Sequence, residues 1–236
     1  MPGRSFRILG YTTLATGITS YSVHRGLSHL ERKYPALPHS TGSQALQTPQ
    51  DPLTQHCAYT DIYAATIPLS ALQARIPSTE TPTKIELENA WARSVFNSKV
   101  LRAEGLLIGI FTHFNLTPCD TGDSEYGFSP DKTGAPRVLL NGGLLVQRVP
   151  GADSDSNGLL VSMKLPDEPR VFFEKIARWG YPWRLMTCVR HEMSVSEPFE
   201  IEGRKFVDVR FATAHDYEVV DAEGGWNSRR LSPIGS

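Results

Sequence analysis

The chain has few cysteines, and none is placed where a disulfide framework or a structural zinc site would need it. Its 236 residues include three, at Cys57, Cys119 and Cys188. An odd number of widely spaced cysteines does not make a disulfide scaffold, and without a C-x-x-C pair a structural zinc site is not expected either. Because 40% of the residues are hydrophobic, we expect an apolar core to hold the fold.

The chain also lacks a surplus of charge of either sign. Its 24 Lys and Arg residues against 25 Asp and Glu give a formal charge of −1. Binding to a nucleic-acid backbone needs a basic surplus or a basic stripe, so we expect no nucleic-acid partner. Neither G-x-G-x-x-G nor a G-K-[ST] phosphate loop occurs, so we expect no nucleotide cofactor.

Acidic residues are absent from the first thirty positions, which carry Arg4, Arg7 and Arg25. The apolar stretch 8–18 is too short and too rich in Thr and Gly for a membrane-spanning helix. Three roles stay open for the leader at residues 1–30: a mitochondrial transit peptide, a signal or membrane-surface anchor, or no targeting role. A functional leader would place the protein in mitochondria or in contact with a membrane, and otherwise we expect it in the cytoplasm.

Prolines divide the chain into parts. Residues 31–56 contain four of them among Ser, Thr, Gln and Gly, a density that prevents both a helix and a central strand. We interpret this stretch as a linker or as an extended wrap over the domain surface. A single domain is expected over residues 57–221 and a flexible tail over 222–236, with a homodimer left open.

Periodicity within the domain indicates an α+β fold, namely a curved antiparallel sheet with helices packed on one side and enclosing an apolar pocket. The pattern of residues 84–108 predicts one amphipathic helix, and Asn141-Gly142-Gly143 predicts a bulge or bend within a strand. Residues 118–135 are expected to be a long loop. Strands are expected over residues 58–68, 138–149, 159–164, 185–196 and 205–220, and further helices over 69–75 and 167–179.

Side chains alternate in the last two strands, so each has one mostly apolar face that carries a histidine. His191 shares its face with Met193, and His215 shares its face with Phe211 and Tyr217. The reverse faces hold Arg190, Glu192, Asp208 and Arg210, for which we expect cross-strand ion pairs on a solvated surface, or alternatively a site for a carboxylate ligand.

Two histidines on facing apolar surfaces are candidates for general acid–base catalysis, since an imidazole titrates near neutrality. Asp208, Asp216 or Glu192 would orient them, and Arg210 would hold an oxygen anion. The alternative is that both are core histidines with hydrogen-bonded partners. We expect no metal, because His191 does not open an H-E-x-x-H motif and no third ligand is identified. The expected substrate contacts are Arg190, Arg210, Trp179, Trp183, Phe211, Met193 and Tyr217.

Two further motifs are weaker. Residues 153–158 match the opening of a calcium loop, but the twelfth position is Lys164 rather than an acid, so we interpret them as a turn. Cys119 follows His113 closely without any known nucleophile signature around it.

Arg190-His191-Glu192-Met-Ser-Val and the stretch from Val209 to Tyr217 resemble a group of uncharacterised fungal proteins, some of them encoded beside natural-product biosynthesis genes. More loosely, a strand, helices and a curved antiparallel sheet are similar to START-like helix-grip and cone-shaped isomerase folds. The chain departs from the helix-grip pattern because no long helix pattern follows Val220.

These observations lead to a functional hypothesis: a cofactor-independent isomerase, cyclase or lyase acting on a hydrophobic small molecule, with His191 and His215 as acid and base. As the resemblance implies, it would serve fungal secondary metabolism. Two alternatives stay open. One is a noncatalytic lipid- or metabolite-binding protein. The other is a thioester hydrolase of the hot-dog type, which needs a long central helix with an acid facing the sheet.

Overall fold

The computed structural model describes residues 21–22, 24–77, 81–112, 120–124, 126–130, 132, 134–152, 158–177, 179 and 184–219. It confirms the α+β class, with helices and one curved, unclosed, seven-stranded antiparallel sheet. The helices are α1 (residues 24–33), α2 (Gln44–Gln47), α3 (Leu69–Gln73), α4 (Lys84–Phe96), α5 (Lys99–Thr112) and α6 (Asp167–Ala177), with a 3₁₀ turn at His39–Thr41. The strands are β1 (Gln55–Pro68), β2 (Val138–Leu139), β3 (Leu144–Arg148), β4 (Leu159–Lys164), β5 (Cys188–Val195), β6 (Phe199–Ile201) and β7 (Arg204–Glu218).

The strands follow one another in the order β1-β7-β5-β4-β3-β2, and β6 pairs with β7 outside this path. The long strand β7 is central, between β1 and β5. Each strand presents alternate side chains to the two sides of the sheet. We call the side that carries Val189, His191, Met193 and Val195 the inner face, and the side that carries Cys188, Arg190, Glu192 and Ser194 the outer face.

Helices α3 and α4 pack on the inner face. Leu87 and Ala90 of α4 contact Val195, Val207 and Val209. A second inner-face cluster joins the end of α4 to Leu159, Val161 and Met193, with Ala92, Phe96, Phe128, Leu139, Leu140 and Leu144. The apolar pocket expected beside this face stays a prediction.

The predicted single helix over residues 84–108 is two helices. Thr83 and Glu86 form a capping box that starts α4. The helix ends at Asn97, and Ser98 then accepts a hydrogen bond from the backbone N–H of Leu101 (3.2 Å), which begins α5. Periodicity alone missed this break because the apolar spacing continues across it.

The strand expected over residues 138–149 is also wrong, because Asn141-Gly142-Gly143 lies in a turn that reverses the chain between β2 and β3. Leu140, Asn141 and Gly142 all have positive φ, at 49°, 55° and 91°. Three successive left-handed residues form a tight hairpin rather than a bulge.

Part of the proline-rich stretch belongs to the packed structure. Ser43 caps α2 by accepting from the N–H of Leu46 at 3.0 Å. The Leu46 side chain is fully buried on the outer face against Ile62 and Leu160. The packed residues therefore begin upstream of Cys57, where the sequence placed the start of the domain.

Arg170 of helix α6 joins this helix to the sheet through an ion pair. Arg170 pairs with Glu174 of the same helix at 2.5 Å and with Glu218 of β7 at 2.6 Å. Phe172 of this helix and Trp179, which follows it, are 58% and 87% exposed.

In the described part of the chain, no helix has the length and hydropathy needed to cross a bilayer.

Candidate functional site

The candidate site is built on the inner face where β5 and β7 pair. His191 lies directly opposite Thr213 in the ladder, and its Nδ1 is 3.1 Å from the Thr213 hydroxyl. The imidazole ring also stacks on Phe211, with 5.4 Å between ring centroids. His191 is thereby fixed by one polar contact and one aromatic contact.

His215 lies two residues beyond Thr213, on the same face. Its cross-strand partners are Val189 on β5 and Tyr59 on β1. The Tyr59 ring contacts both His215 and Tyr217 edge-on, at centroid distances of 6.4 and 6.3 Å. The sequence prediction that both histidines share one face is confirmed by this register, while their chemical role stays a prediction.

Burial decides the protonation state of His191. Removal from water lowers its pKa to about 4, with a smaller contribution from His215. The imidazole is therefore neutral at physiological pH and can act as a hydrogen-bond donor or acceptor, not as a cation. Burial likewise raises the pKa of Tyr217, so its phenol stays protonated.

None of the three carboxylates proposed to orient the histidines lies on their face. Asp216 is on the outer face, fully buried, and accepts two hydrogen bonds from the guanidinium of Arg190 at 2.7 and 2.9 Å. Arg190 also donates to the backbone carbonyls of Ala45 and Thr48, beneath α2. This pair binds α2 to the sheet rather than a substrate, so the expected substrate contact of Arg190 is not supported by its position.

Glu192 belongs to the same buried layer. Its carboxylate accepts from the guanidinium of Arg148 at 2.7 Å and from the hydroxyl of Ser43. Asp208, further along the outer face, accepts from the hydroxyl of Thr66 at 2.6 Å. The expected ion pairs among Arg190, Glu192, Asp208 and Arg210 are not found among the described residues, because Arg190 and Glu192 are buried beneath α2 and pair with Asp216 and Arg148.

The residues expected to contact the substrate lie in different parts of the structure. Phe211 and Tyr217 lie beside the histidines, whereas Met193 is fully buried in the core below α4. Arg210 is on the outer face, opposite Ser194. Trp179 lies at the end of α6, and Trp183 lies outside the described residues.

Sequence reasoning missed Thr213 and Tyr59 as neighbours of the histidines. Alternation did place Thr213 between Phe211 and His215 on one face, but a threonine in a strand is ordinary and attracts no attention. Tyr59 could be found only from the pairing of β1 with β7, which joins residues distant in sequence.

A buried acid on α4 was also missed. Glu88 is 1% exposed and lies against Val195, whose backbone N–H donates to its carboxylate. Burial raises its pKa to about 7, and its Oε1 has no hydrogen-bond partner. Period 3.6 puts Glu88 on the same side of the helix as Trp91 and Ala92, but an amphipathic pattern alone does not indicate that an acid is buried there.

No group of three or more His, Cys, Asp or Glu side chains is arranged for a metal ion among the residues that the structure describes. Cys188 is buried, which raises its pKa to about 11 and leaves it a poor nucleophile. Cys119, His113 and the turn at residues 153–157 lie outside the described residues.

A scan against protein-family models and searches of the curated proteins and of the solved structures find no match to this chain.

Proposed function

We propose that the protein is an acid–base enzyme, an isomerase, cyclase or lyase, acting on a hydrophobic small molecule that carries a carbonyl group. The observation that carries the proposal is the contact between His191 and Thr213, with His215 two residues further on the same apolar face. A neutral, oriented imidazole next to a second imidazole supplies a hydrogen-bond donor and a base.

In the proposed mechanism the hydroxyl of Thr213 donates to Nδ1 of His191, so that Nε2 carries the proton. This Nε2–H donates to the substrate carbonyl, the role that a neutral imidazole can fill. His215 then removes a proton from the carbon next to the carbonyl, which leaves an enolate held by His191. Return of the proton from His215 to another carbon gives an isomer. Alternatively, the enolate attacks a second carbonyl carbon and closes a ring, the π bond of that carbonyl breaks, and His215 returns its proton to the resulting alkoxide.

The surroundings of the histidines support an apolar, planar substrate. Phe211, Tyr59 and Tyr217 lie around them, and aromatic rings favour stacked or edge contacts with flat ligands.

The test is proton exchange in D₂O with two probe ketones, 4-phenylbutan-2-one and 2-decanone, followed by NMR. We expect exchange at the carbon next to the carbonyl above the buffer rate, and a loss of about 100-fold or more in His191→Gln and in His215→Gln. His29→Gln, at an exposed position on α1, is the matched control and keeps the full rate. An unchanged exchange rate in both site variants would show that neither histidine takes part in the proton transfer. Retention of a probe without any exchange would instead favour a noncatalytic binding protein.

A second candidate, a thioester hydrolase, is favoured by one observation: α4 carries a buried acid, Glu88, on its sheet-facing side. Hydrolysis of decanoyl-CoA that disappears in Glu88→Gln, with His191→Gln still active, would support this candidate over the first.

A further inference from the structure

Helix α1 (residues 24–33) is almost uncovered by the rest of the protein. Of its ten residues, every one except Ser28 is exposed. An isolated helix of this length is marginal in water unless packing supports it, and Gly26 lowers its helix propensity further. We therefore expect α1 to gain stability from a surface outside the domain.

One side of α1 is apolar. Leu27 and Leu30 are three positions apart, so they project from the same side of the helix, and Tyr34 continues this line just after the helix ends. The two leucine residues are 55% and 51% exposed, so a large part of each side chain faces water. Contact with an apolar layer would remove this surface from water.

The opposite side of α1 is basic. Arg25 and Arg32 are seven positions apart, close to two helical turns, so they share this side. The guanidinium of Arg25 donates to the hydroxyl of Tyr21 at 3.3 Å, and that of Arg32 donates to the backbone carbonyl of Ser28 at 3.1 Å. Both guanidinium groups therefore lie along the helix, each reaching back by one turn.

The charge of this part of the chain is positive as a whole. Residues 1–33 contain five Lys and Arg residues, and Glu31 is their single acid. Lys33 lies at the border of the apolar side, with its Nζ 5.1 Å from the ring centroid of Tyr34. A second copy of the chain would bring like charges together at this helix, whereas an anionic surface complements them.

We propose that α1 binds the surface of an anionic lipid bilayer, with its two leucine side chains inserted among the lipids and its basic side chains near the head groups. Such a bilayer supplies both an apolar layer and negative charge, and long Arg and Lys side chains reach the head groups from a helix that lies at the interface. Ten helical residues extend for about 15 Å, half the thickness of the hydrocarbon layer, so α1 lies along the surface.

Cosedimentation of the full-length protein with lipid vesicles tests this proposal and does not depend on any activity. The vesicles contain phosphatidylcholine alone or with about 30% phosphatidylserine. We expect binding to the mixed vesicles, weakened by about tenfold or more in the double variant Leu27→Ser, Leu30→Ser, because its apolar side is lost. Leu53→Ser, at a leucine outside α1 that is 93% exposed, is the matched control and binds like the wild type.

The basic side is tested separately. Arg25→Gln and Arg32→Gln should each weaken binding to the mixed vesicles by about fivefold, whereas Arg75→Gln, at an exposed arginine outside α1, should not. Thermal unfolding checks that each variant is folded. Equal binding of the wild type to both kinds of vesicle, no binding to either, or unchanged binding of the double leucine variant would each overturn the proposal. A dimer that this double substitution dissociates, without vesicle binding, would assign the apolar side to a second copy instead.

Discussion

At the residue scale, the contact of 3.1 Å between Thr213 and Nδ1 of His191 controls which ring nitrogen carries the proton. A hydroxyl can donate or accept, so the two tautomers of a neutral imidazole would use this contact in opposite directions. Only the tautomer protonated at Nε2 can donate from its free side to a carbonyl. Thr213 is therefore the positioning residue in the proposed mechanism, although no sequence motif marks it.

We expect His191 to be the Nε2–H tautomer, and Thr213→Val to abolish that preference while barely changing the thermal unfolding temperature. Imidazole ¹⁵N chemical shifts report the tautomer directly. Thr213→Ser keeps the hydroxyl and should restore the wild-type shifts. A wild-type spectrum with the proton on Nδ1 would contradict the proposed role of His191 as a carbonyl donor.

The strand pattern predicted the positions of the histidines but not their partners. Period two places Asp208 and Asp216 on the reverse side from His215, and the structure keeps them there. Side chains on opposite faces of a strand do not contact each other, so these two acids cannot orient His215. Their real partners, Thr66 and Arg190, depend on strand register and could not be found from spacing.

At the scale of elements, α2 and the chain around it complete the outer face. Arg190 and Asp216 are 1% and 0% exposed, and the guanidinium reaches carbonyls of Ala45 and Thr48. Ser43 both caps α2 and donates to Glu192. Without this segment, Glu192 and Arg190 would lose hydrogen-bond partners, and the buried pair of Arg190 with Asp216 would be exposed to water.

Removal of residues 1–54 should therefore destabilise the fold by about 3–5 kcal/mol or prevent folding, the range for disrupting a buried charged network. Removal of residues 1–33 should change stability little, because nearly all side chains of α1 are exposed. Urea denaturation of the two shortened chains and of the full chain measures the difference. Equal midpoints for the two shortened chains would show that α2 contributes nothing to the fold.

At the scale of the whole molecule, two buried groups give stability opposite dependences on pH. The pKa of Glu88 rises from 4.5 to about 7 on folding, so the folded state keeps a proton that the unfolded chain has lost. Its contribution favours folding at low pH and is lost as the pH rises from about 4.5 to about 7. The pKa of His191 falls from 6.5 to about 4, so its contribution is present above pH 6.5 and is lost as the pH falls towards 4.

Between pH 4.5 and 6.5 the contributions of Glu88 and His191 to the free energy of unfolding change with pH in opposite directions and partly cancel. Substituting one group at a time should reveal the pH dependence that the other group causes. In Glu88→Gln the free energy of unfolding should rise with pH over this interval, and in His191→Gln it should fall, each by roughly 2–3 kcal/mol. Urea denaturation at pH 4.5, 5.5 and 6.5 measures the slopes, with Glu202→Gln, at an exposed turn residue, as the control. Parallel profiles for wild type and both variants would show that neither group is coupled to folding.

The sequence by itself determined the α+β class, the antiparallel character of the sheet and the shared face of His191 and His215. These follow from local patterns: alternation along β5 and β7, and the apolar spacing of α4. Only the tertiary structure decided that Arg190 and Glu192 of the outer face are buried, that Arg190 pairs with Asp216, and that Glu192 pairs with Arg148. The reason is physical, since the burial and pairing of a charge depend on which distant segment covers it, and residues 43–48 lie about 150 positions away from the strand that they cover.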